Sequence, residues 1–281
     1  MATIMDGIKL RNQILNELRS HIEQNGLQPK LVAILVGDDA ASKIYVHNKE
    51  KYASVAGIKT DVIRMPFDTD TKSVIKKITE LNVDKSVSAI LVQLPLPKHI
   101  DTNAVINAVD ISKDVDGFTD ENLGRMFGSG TDFIIPCTPR GILALLDEYK
   151  IDVAGKKAVV IGRSNIVGKP MAQMLMSRNA TVTICHSQTP NIAEYTKNAD
   201  IVIAATGKIK ITGDMLKSGA VLIDVGMQRD ENGNLHGDAD FESCASVAGY
   251  ITPTPGGTGP MTIAGLMMNT VDLVSGFGNI K

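Results

Sequence analysis

Apolar residues along the chain follow two alternating patterns: short runs rich in Val and Ile, and longer stretches whose apolar positions recur at helical spacing. Leu31–Val36, Lys59–Arg64 and Ser88–Val92 read as strands, and Ala40–Val55 and Lys72–Leu81 between them as helices. A first helix is predicted from Asp6 to about Asn25, because Leu10, Ile14, Leu15, Leu18 and Ile22 share one face and Gly26 follows as a stop. Such near-continuous apolar strands belong to parallel sheets buried on both faces, so the first part of the chain is predicted to be a small open sheet with helical crossovers.

From Asp120 to Pro139 the period is lost and Gly, Pro, Asp and Thr concentrate, which predicts a long loop or a domain boundary. A helix from about Arg140 to Tyr149 then leads into a second series of strands, Lys157–Ile161, Thr181–Cys185, Asp200–Ala204 and Ala220–Val225. Their starts lie about 20 residues apart, the spacing of a doubly wound nucleotide-binding sheet. Gly237–Thr258 reads as irregular and Pro260–Ser275 as a final helix. The fold class is therefore α/β with two domains.

Composition narrows the function. The 281 residues carry 29 Lys plus Arg against 31 Asp plus Glu, a net charge of −2, which leaves no strong field for a nucleic acid or an anionic lipid surface. A 43% hydrophobic chain without Trp is globular, with a core of aliphatic and Met side chains. Cys137, Cys185 and Cys244 are far apart and form no C-x-x-C pair, so neither a disulfide framework nor a thiolate metal site is expected. No basic-then-apolar leader opens the chain and no apolar run approaches the ~18 residues needed to span a bilayer, so a soluble, unprocessed, cytoplasmic protein is expected.

Five segments carry candidate chemistry. Val159–Ile161 runs into Gly162-Arg163-Ser164 and on to Gly168-Lys169-Pro170, a strand, glycine turn and helix start of the kind that admits a phosphate to free N–H groups. It is not a strict G-x-G-x-x-G, and an ordinary strand–helix turn is the equal alternative. The next strand, however, ends in His186-Ser187, where an NAD site usually places an acid. A missing carboxylate, the Ser187 hydroxyl and the Arg163 cation together favour a ribose 2′-phosphate, hence NADP over NAD.

Tyr45 and Lys49 lie four apart on one helical face, although a packed ring beside a solvated amine is the commoner arrangement. Tyr-x-x-x-Lys also occurs in short-chain dehydrogenases, but there it follows the nucleotide-binding glycines, whereas here it precedes them. Val92-Gln93-Leu94-Pro95-Leu96-Pro97 and Lys113-Asp114-Val115-Asp116-Gly117-Phe118 fall beyond strand ends, where α/β sheets bind ligands. Gln93 could orient a lysine amine and Asp116 could bind a planar edge bearing two N–H donors, or both could simply form turns. Lastly, Thr252–Thr262 is a glycine loop held by prolines at both ends, open to close approach by a flat ligand.

In this order the five segments resemble the bifunctional methylenetetrahydrofolate dehydrogenase/methenyltetrahydrofolate cyclohydrolase family over essentially the whole chain. The resemblance implies a folate-binding and catalytic domain over residues 1–138, a Rossmann-like NADP-binding domain over 139–259, and a C-terminal helix, 260–281, that packs back on the first. It implies that Tyr45 stacks on the folate, that Lys49 is the catalytic amine held by Gln93, and that Asp116 binds the pterin. Gly162, Arg163, Ser164 and Ser187 would hold NADP with Met227 near it, and Pro255, Gly256, Gly257 and Gly259 would close over the substrate. No metal and no nucleic-acid or membrane partner is implied, and a homodimer through the nucleotide-binding domains is. Met227 and Thr258 depart from the family's common Ile and Val, and neither change removes a reacting group. A shikimate-type dehydrogenase leaves Tyr45, Lys49 and Asp116 unexplained together, and a catalytically silent nucleotide-binding regulator would leave Lys49 merely solvated.

Overall fold

The computed structural model describes residues 1–128, 130–230 and 233–276, and the side chains of all of these except 40–45. In chain order the first half runs β1 (Thr3–Ile4), α1 (Gly7–Gln24), β2 (Lys30–Val36), α2 (Ala40–Ala56), β3 (Lys59–Met65), α3 (Thr71–Val83), β4 (Ala89–Val92), α4 (Thr102–Ile106) and α5 (Asp120–Phe127). The second half runs α6 (Cys137–Glu148), β5 (Lys157–Ile161), α7 (Gly168–Ser177), β6 (Thr181–Cys185), α8 (Ala193–Thr196), β7 (Ile201–Ala204) and β8 (Val221–Asp224). There follow β9 (Gln228–Arg229), β10 (Leu235–His236), α9 (Phe241–Ala245), β11 (Tyr250–Ile251) and α10 (Thr258–Ser275).

Two compact units result, one of residues 13–137 with those from Ile263 onward, the other of Met1–Asn12 with Thr138–Thr262. The first holds a parallel sheet in the order β3-β2-β4. Its central strand β2 is buried along almost its whole length, and Val32, Ile34 and Val36 form a core with Ile90, Val92 and the inner face of α3, Val74, Ile78 and Leu81. The Asp70 carboxylate caps α3 by accepting the Ser73 N–H at 2.7 Å. Asp114 bridges to Ile90 beside β4, so the segment that follows it starts at the same end of the sheet as Gln93.

The second unit is a six-stranded sheet in the order β1-β11-β8-β7-β5-β6, every pairing parallel. Val159, Ile161, Val202, Leu222 and Ile251 lie in its core. The order reverses around β5, so the chain ends beyond β5, β6 and β7 form the crevice where doubly wound sheets bind ligands.

The structure differs from the periodicity in three places. Asp120–Phe127, expected as loop, is the helix α5, capped by the Thr119 hydroxyl, which accepts the Asn122 N–H at 3.2 Å. It is only two turns long and buries just Asn122 and Met126, one of them polar, so its period is confined to a stretch too short to stand out in the sequence. Gly237–Thr258, expected as irregular, contains α9 and β11, whose pairs with β1 and β8 are two residues long and too short to alternate visibly. The first twelve residues, expected in the first domain, belong to the second unit, because Thr3 and Ile4 extend its sheet at β11.

Candidate active site

In the first unit, Lys49 in the last turns of α2 donates from Nζ to Gln93 Oε1 at 3.0 Å. Gln93, buried just beyond β4, donates from Nε2 to the Leu94 carbonyl at 2.6 Å, which fixes the amide so that its oxygen faces the lysine. A carboxylate in that place would hold the amine as an ammonium; the neutral amide orients it without adding charge. Tyr45 lies one turn earlier on α2, and its side chain lies outside the described residues.

Asp116 is partly buried on the segment that follows Asp114. Burial pushes its carboxyl up to about 6, an effect opposed by the Lys49 ammonium, reinforced by Asp114 and reduced by the Cys137 thiol. Cys137 Sγ lies 3.4 Å from Asp116 Oδ1 and 3.6 Å from the Val115 carbonyl. Asn269 of α10, fully buried, donates from Nδ2 to the Val115 and Ile135 carbonyls at 2.8 and 2.9 Å. Asp114 receives the backbone N–H groups of Gly117 and Thr119, each at 2.9 Å, and of Phe118 at 3.3 Å. Asn122 closes the same turn, donating to the Gly117 and Ile134 carbonyls and accepting the Ile134 N–H. A partly buried carboxylate is thus held by a tightly bonded turn within electrostatic reach of a lysine, an arrangement able to bind a donor-bearing ring edge.

In the second unit, β5 ends at Gly162, whose φ of +129° and whose 2.5 Å approach of a would-be Cβ to the Ala205 carbonyl exclude any side chain. The Ser164 hydroxyl accepts the Val167 and Gly168 N–H groups at 3.1 and 3.4 Å and shapes the entry to α7. Arg163 and Ser187 are exposed, and among the described residues neither has a hydrogen-bond or ion-pair partner. Gly162 N–H donates to the Cys185 carbonyl at 2.8 Å, which brings the turn beside the end of β6. Beyond it, His186 Nδ1 accepts the Gln188 N–H, and no carboxylate stands in the His186-Ser187-Gln188 run. An exposed cation and an exposed hydroxyl beside a glycine turn are a donor set suited to a phosphorylated dinucleotide. Met227 follows β8 and is exposed. Pro255, Gly256, Gly257 and Gly259 lie between β11 and the second residue of α10, where the Gly257 N–H donates to the Pro253 carbonyl and the Thr258 hydroxyl to the Asp224 carbonyl, each at 2.8 Å.

Sequence reasoning thus names Lys49, Gln93 and Asp116, and the structure links them. It misses Cys137 and Asn269, which support Asp116. Cys137 carries no signal beyond its identity, whereas Asn269 is an amide in an otherwise apolar helix, a pattern that marks a buried polar role. Among the described residues no group of His, Cys, Asp or Glu is placed to hold a metal ion, the three cysteines are buried and none is in a disulfide, and no helix is long and apolar enough to cross a membrane.

Known proteins match this arrangement. Family models for the tetrahydrofolate dehydrogenase/cyclohydrolase catalytic domain and NAD(P)-binding domain match residues 5–116 and 136–276. The bifunctional protein FolD of Streptococcus pneumoniae is 52% identical over 275 residues, 96% of each chain. The bifunctional FolD methylenetetrahydrofolate dehydrogenase/cyclohydrolase of Campylobacter jejuni has a similar structure, with a TM-score of 0.94 at 44% identity over 98% of this chain and 99% of that one. The Trypanosoma brucei methylenetetrahydrofolate dehydrogenase-cyclohydrolase, solved with NADP and an inhibitor, gives 0.91 at 33% identity over 98% and 97%.

Because the Asp116 carboxyl sits at about 6, above the ordinary 3.8, the folded chain holds that proton more tightly than the unfolded one. The resulting contribution to stability is complete below pH 3.8 and is lost as pH rises through about 6. Asp116→Asn, which does not titrate, should therefore gain stability relative to the parent as pH rises from about 5 to about 8, read from urea unfolding. A difference that stays flat or shrinks over that range contradicts the placement of the carboxylate.

Proposed function

The chain belongs to the tetrahydrofolate dehydrogenase/cyclohydrolase family, and from that premise we propose how its residues divide the work. It is a bifunctional enzyme that oxidises 5,10-methylenetetrahydrofolate to the 5,10-methenyl compound with NADP and hydrolyses that product to 10-formyltetrahydrofolate. The Lys49–Gln93 hydrogen bond beside Asp116 is the observation that carries the assignment of roles.

NADP+, when bound, supplies the hydride acceptor. Arg163 and Ser187 would hold its 2′-phosphate, the Gly162–Ser164 turn would let its backbone come close, and Met227 would be near it. Asp116 takes the donor edge of the pterin through its two oxygens and so sets the ring's orientation, Tyr45 stacks on it, and Pro255, Gly256, Gly257 and Gly259 cover the substrate. Oxidation draws on a substrate nitrogen lone pair and asks of the protein only that the reacting carbons be held in place. Hydration of the methenyl carbon needs a base, and Lys49 takes one proton from the attacking water; the hydroxy adduct then collapses with cleavage of its bond to N5, the hydroxyl proton passing to N5 as the formyl carbonyl forms. The positive charge of the methenyl group favours the neutral amine, and Gln93 keeps the lone pair directed by occupying one N–H.

The protein acts as a homodimer joined through the second unit. β6 is an edge strand of the six-stranded sheet, and Ile184 on it is 41% exposed, an open apolar edge that a second copy covers.

Three measurements test these roles. In Lys49→Gln the cyclohydrolase should fall by ~10²–10⁴-fold while part of the dehydrogenase survives, so methenyltetrahydrofolate accumulates in absorbance traces; equal loss of both activities rules Lys49 out as the base. Arg163→Ala should raise the Michaelis constant for NADP+ roughly ten- to hundredfold and leave that for NAD+ nearly unchanged, as the loss of one charge-assisted contact to the extra phosphate requires. Ile184→Lys should shift sedimentation from dimer toward monomer, and an unchanged dimer places the interface elsewhere.

A further inference from the structure

Asp238 stands on the segment after β10, only 2% exposed, and it takes no part in the chemistry above. Its Oδ2 accepts the Thr206 N–H at 2.8 Å, the Gly207 N–H at 3.0 Å and the Thr206 hydroxyl at 3.1 Å, while Oδ1 accepts Gln228 Nε2 at 3.2 Å. Thr206 and Gly207 are the loop beyond β7, and Gln228 begins β9 immediately after Met227.

One carboxylate therefore fastens both strand-end loops. The first loop also forms a wall of the glycine turn, since Ala205 N–H donates to the Ile161 carbonyl at 2.8 Å and the Ala205 carbonyl fills the space where Gly162 would carry a Cβ. The second loop meets Asp238 at Gly226, where a Cβ would lie 2.5 Å from the Asp238 Cγ, so nothing larger than glycine fits. The backbone of Asp238 is itself anchored, its N–H donating to Asp224 Oδ1 at 3.0 Å and its carbonyl accepting the Ile211 N–H at 2.8 Å. Loops beyond parallel strands have no ladder partners of their own, and a buried acceptor with several bonds substitutes for the ladder.

We propose that Asp238 is a positioning residue for the dinucleotide, holding the loops after β7 and β8 at the separation that NADP requires. This rests on assigning the NADP site to the ends of β5, β7 and β8. Asp238 touches neither reactant; its effect passes through Thr206, Gly207 and Gln228.

The test uses the full chain and reads both activities, the dehydrogenase with NADP+ varied and the cyclohydrolase on supplied methenyltetrahydrofolate without cofactor. Asp238→Ala should raise the Michaelis constant for NADP+ roughly tenfold or more, as loss of several bonds to one charge implies, while the cyclohydrolase stays within about twofold. Asp238→Asn should recover most of the NADP+ affinity, because one oxygen still accepts from Thr206 and Gly207 and Gln228 can turn its own amide to face the new NH₂. If Asp238→Ala does not fold, Thr206→Val removes one of the bonds and should raise the NADP+ constant about threefold with hydrolysis unchanged. An unaltered NADP+ constant in the folded variant, or a parallel fall of both activities, overturns the proposal. Calorimetry of the parent chain separates the premises: no NADP+ binding at all defeats the site assignment, whereas normal binding by both parent and Asp238→Ala defeats the role of Asp238 alone.

Discussion

A parallel strand that ends leaves its last amides pointing beyond the sheet, and the loops that carry function there must find acceptors elsewhere. Both units meet this constraint with a buried carboxylate. Asp114 collects three N–H groups of the segment that bears Asp116, and Asp224 collects those of Gly226, Asp238 and Ala239 at 2.8 to 3.0 Å. Burial raises the carboxyls of Asp114 and Asp224 above the ordinary range, and the backbone bonds that order the loops oppose that rise. A neutral side chain in either place would offer fewer lone pairs to the same set of donors.

Around Lys49 the scaffold takes the opposite course. Beside the Asp114 carboxylate, the neutral amides of Gln93, Asn122 and Asn269 fix the lysine, the turn and the Asp116 segment without adding charge of their own. The local field is then set mainly by Asp116 and Asp114 acting against the lysine, and it responds when a substrate adds charge. Rigid geometry and adjustable electrostatics are compatible here because different residues supply them.

How much of this was legible in the sequence depended on how many residues each feature engages. α1, β2, β4 and β5 bury long runs of apolar side chains, so their pattern survives any local exception. Lys49, Gln93 and Asp116 could be named because Lys49 follows Tyr45 by one helical turn and the other two lie beyond strand ends, in segments whose joint order resembles a known family. α5 was hidden because it is two turns long and one of its two buried positions is the polar Asn122, and β1 and β11 because a two-residue pairing cannot show alternation. The support given to Asp116 by Cys137 and Asn269 comes from three distant stretches of chain, a proximity that no local pattern encodes.

The place of β1 has a bearing on how the sheet forms. Thr3 and Ile4 pair with Tyr250 and Ile251, so every other strand of the sheet lies between these two partners in sequence. The strands from β5 to β8 are near one another along the chain and close short loops when they pair, whereas the rim at β1 and β11 closes a far longer one. Until that rim forms, β8 presents an edge that β11 covers in the folded molecule. The entropy of closing this long loop falls on a pairing only two residues long, so the rim depends on the packing beneath it more than on its own ladder.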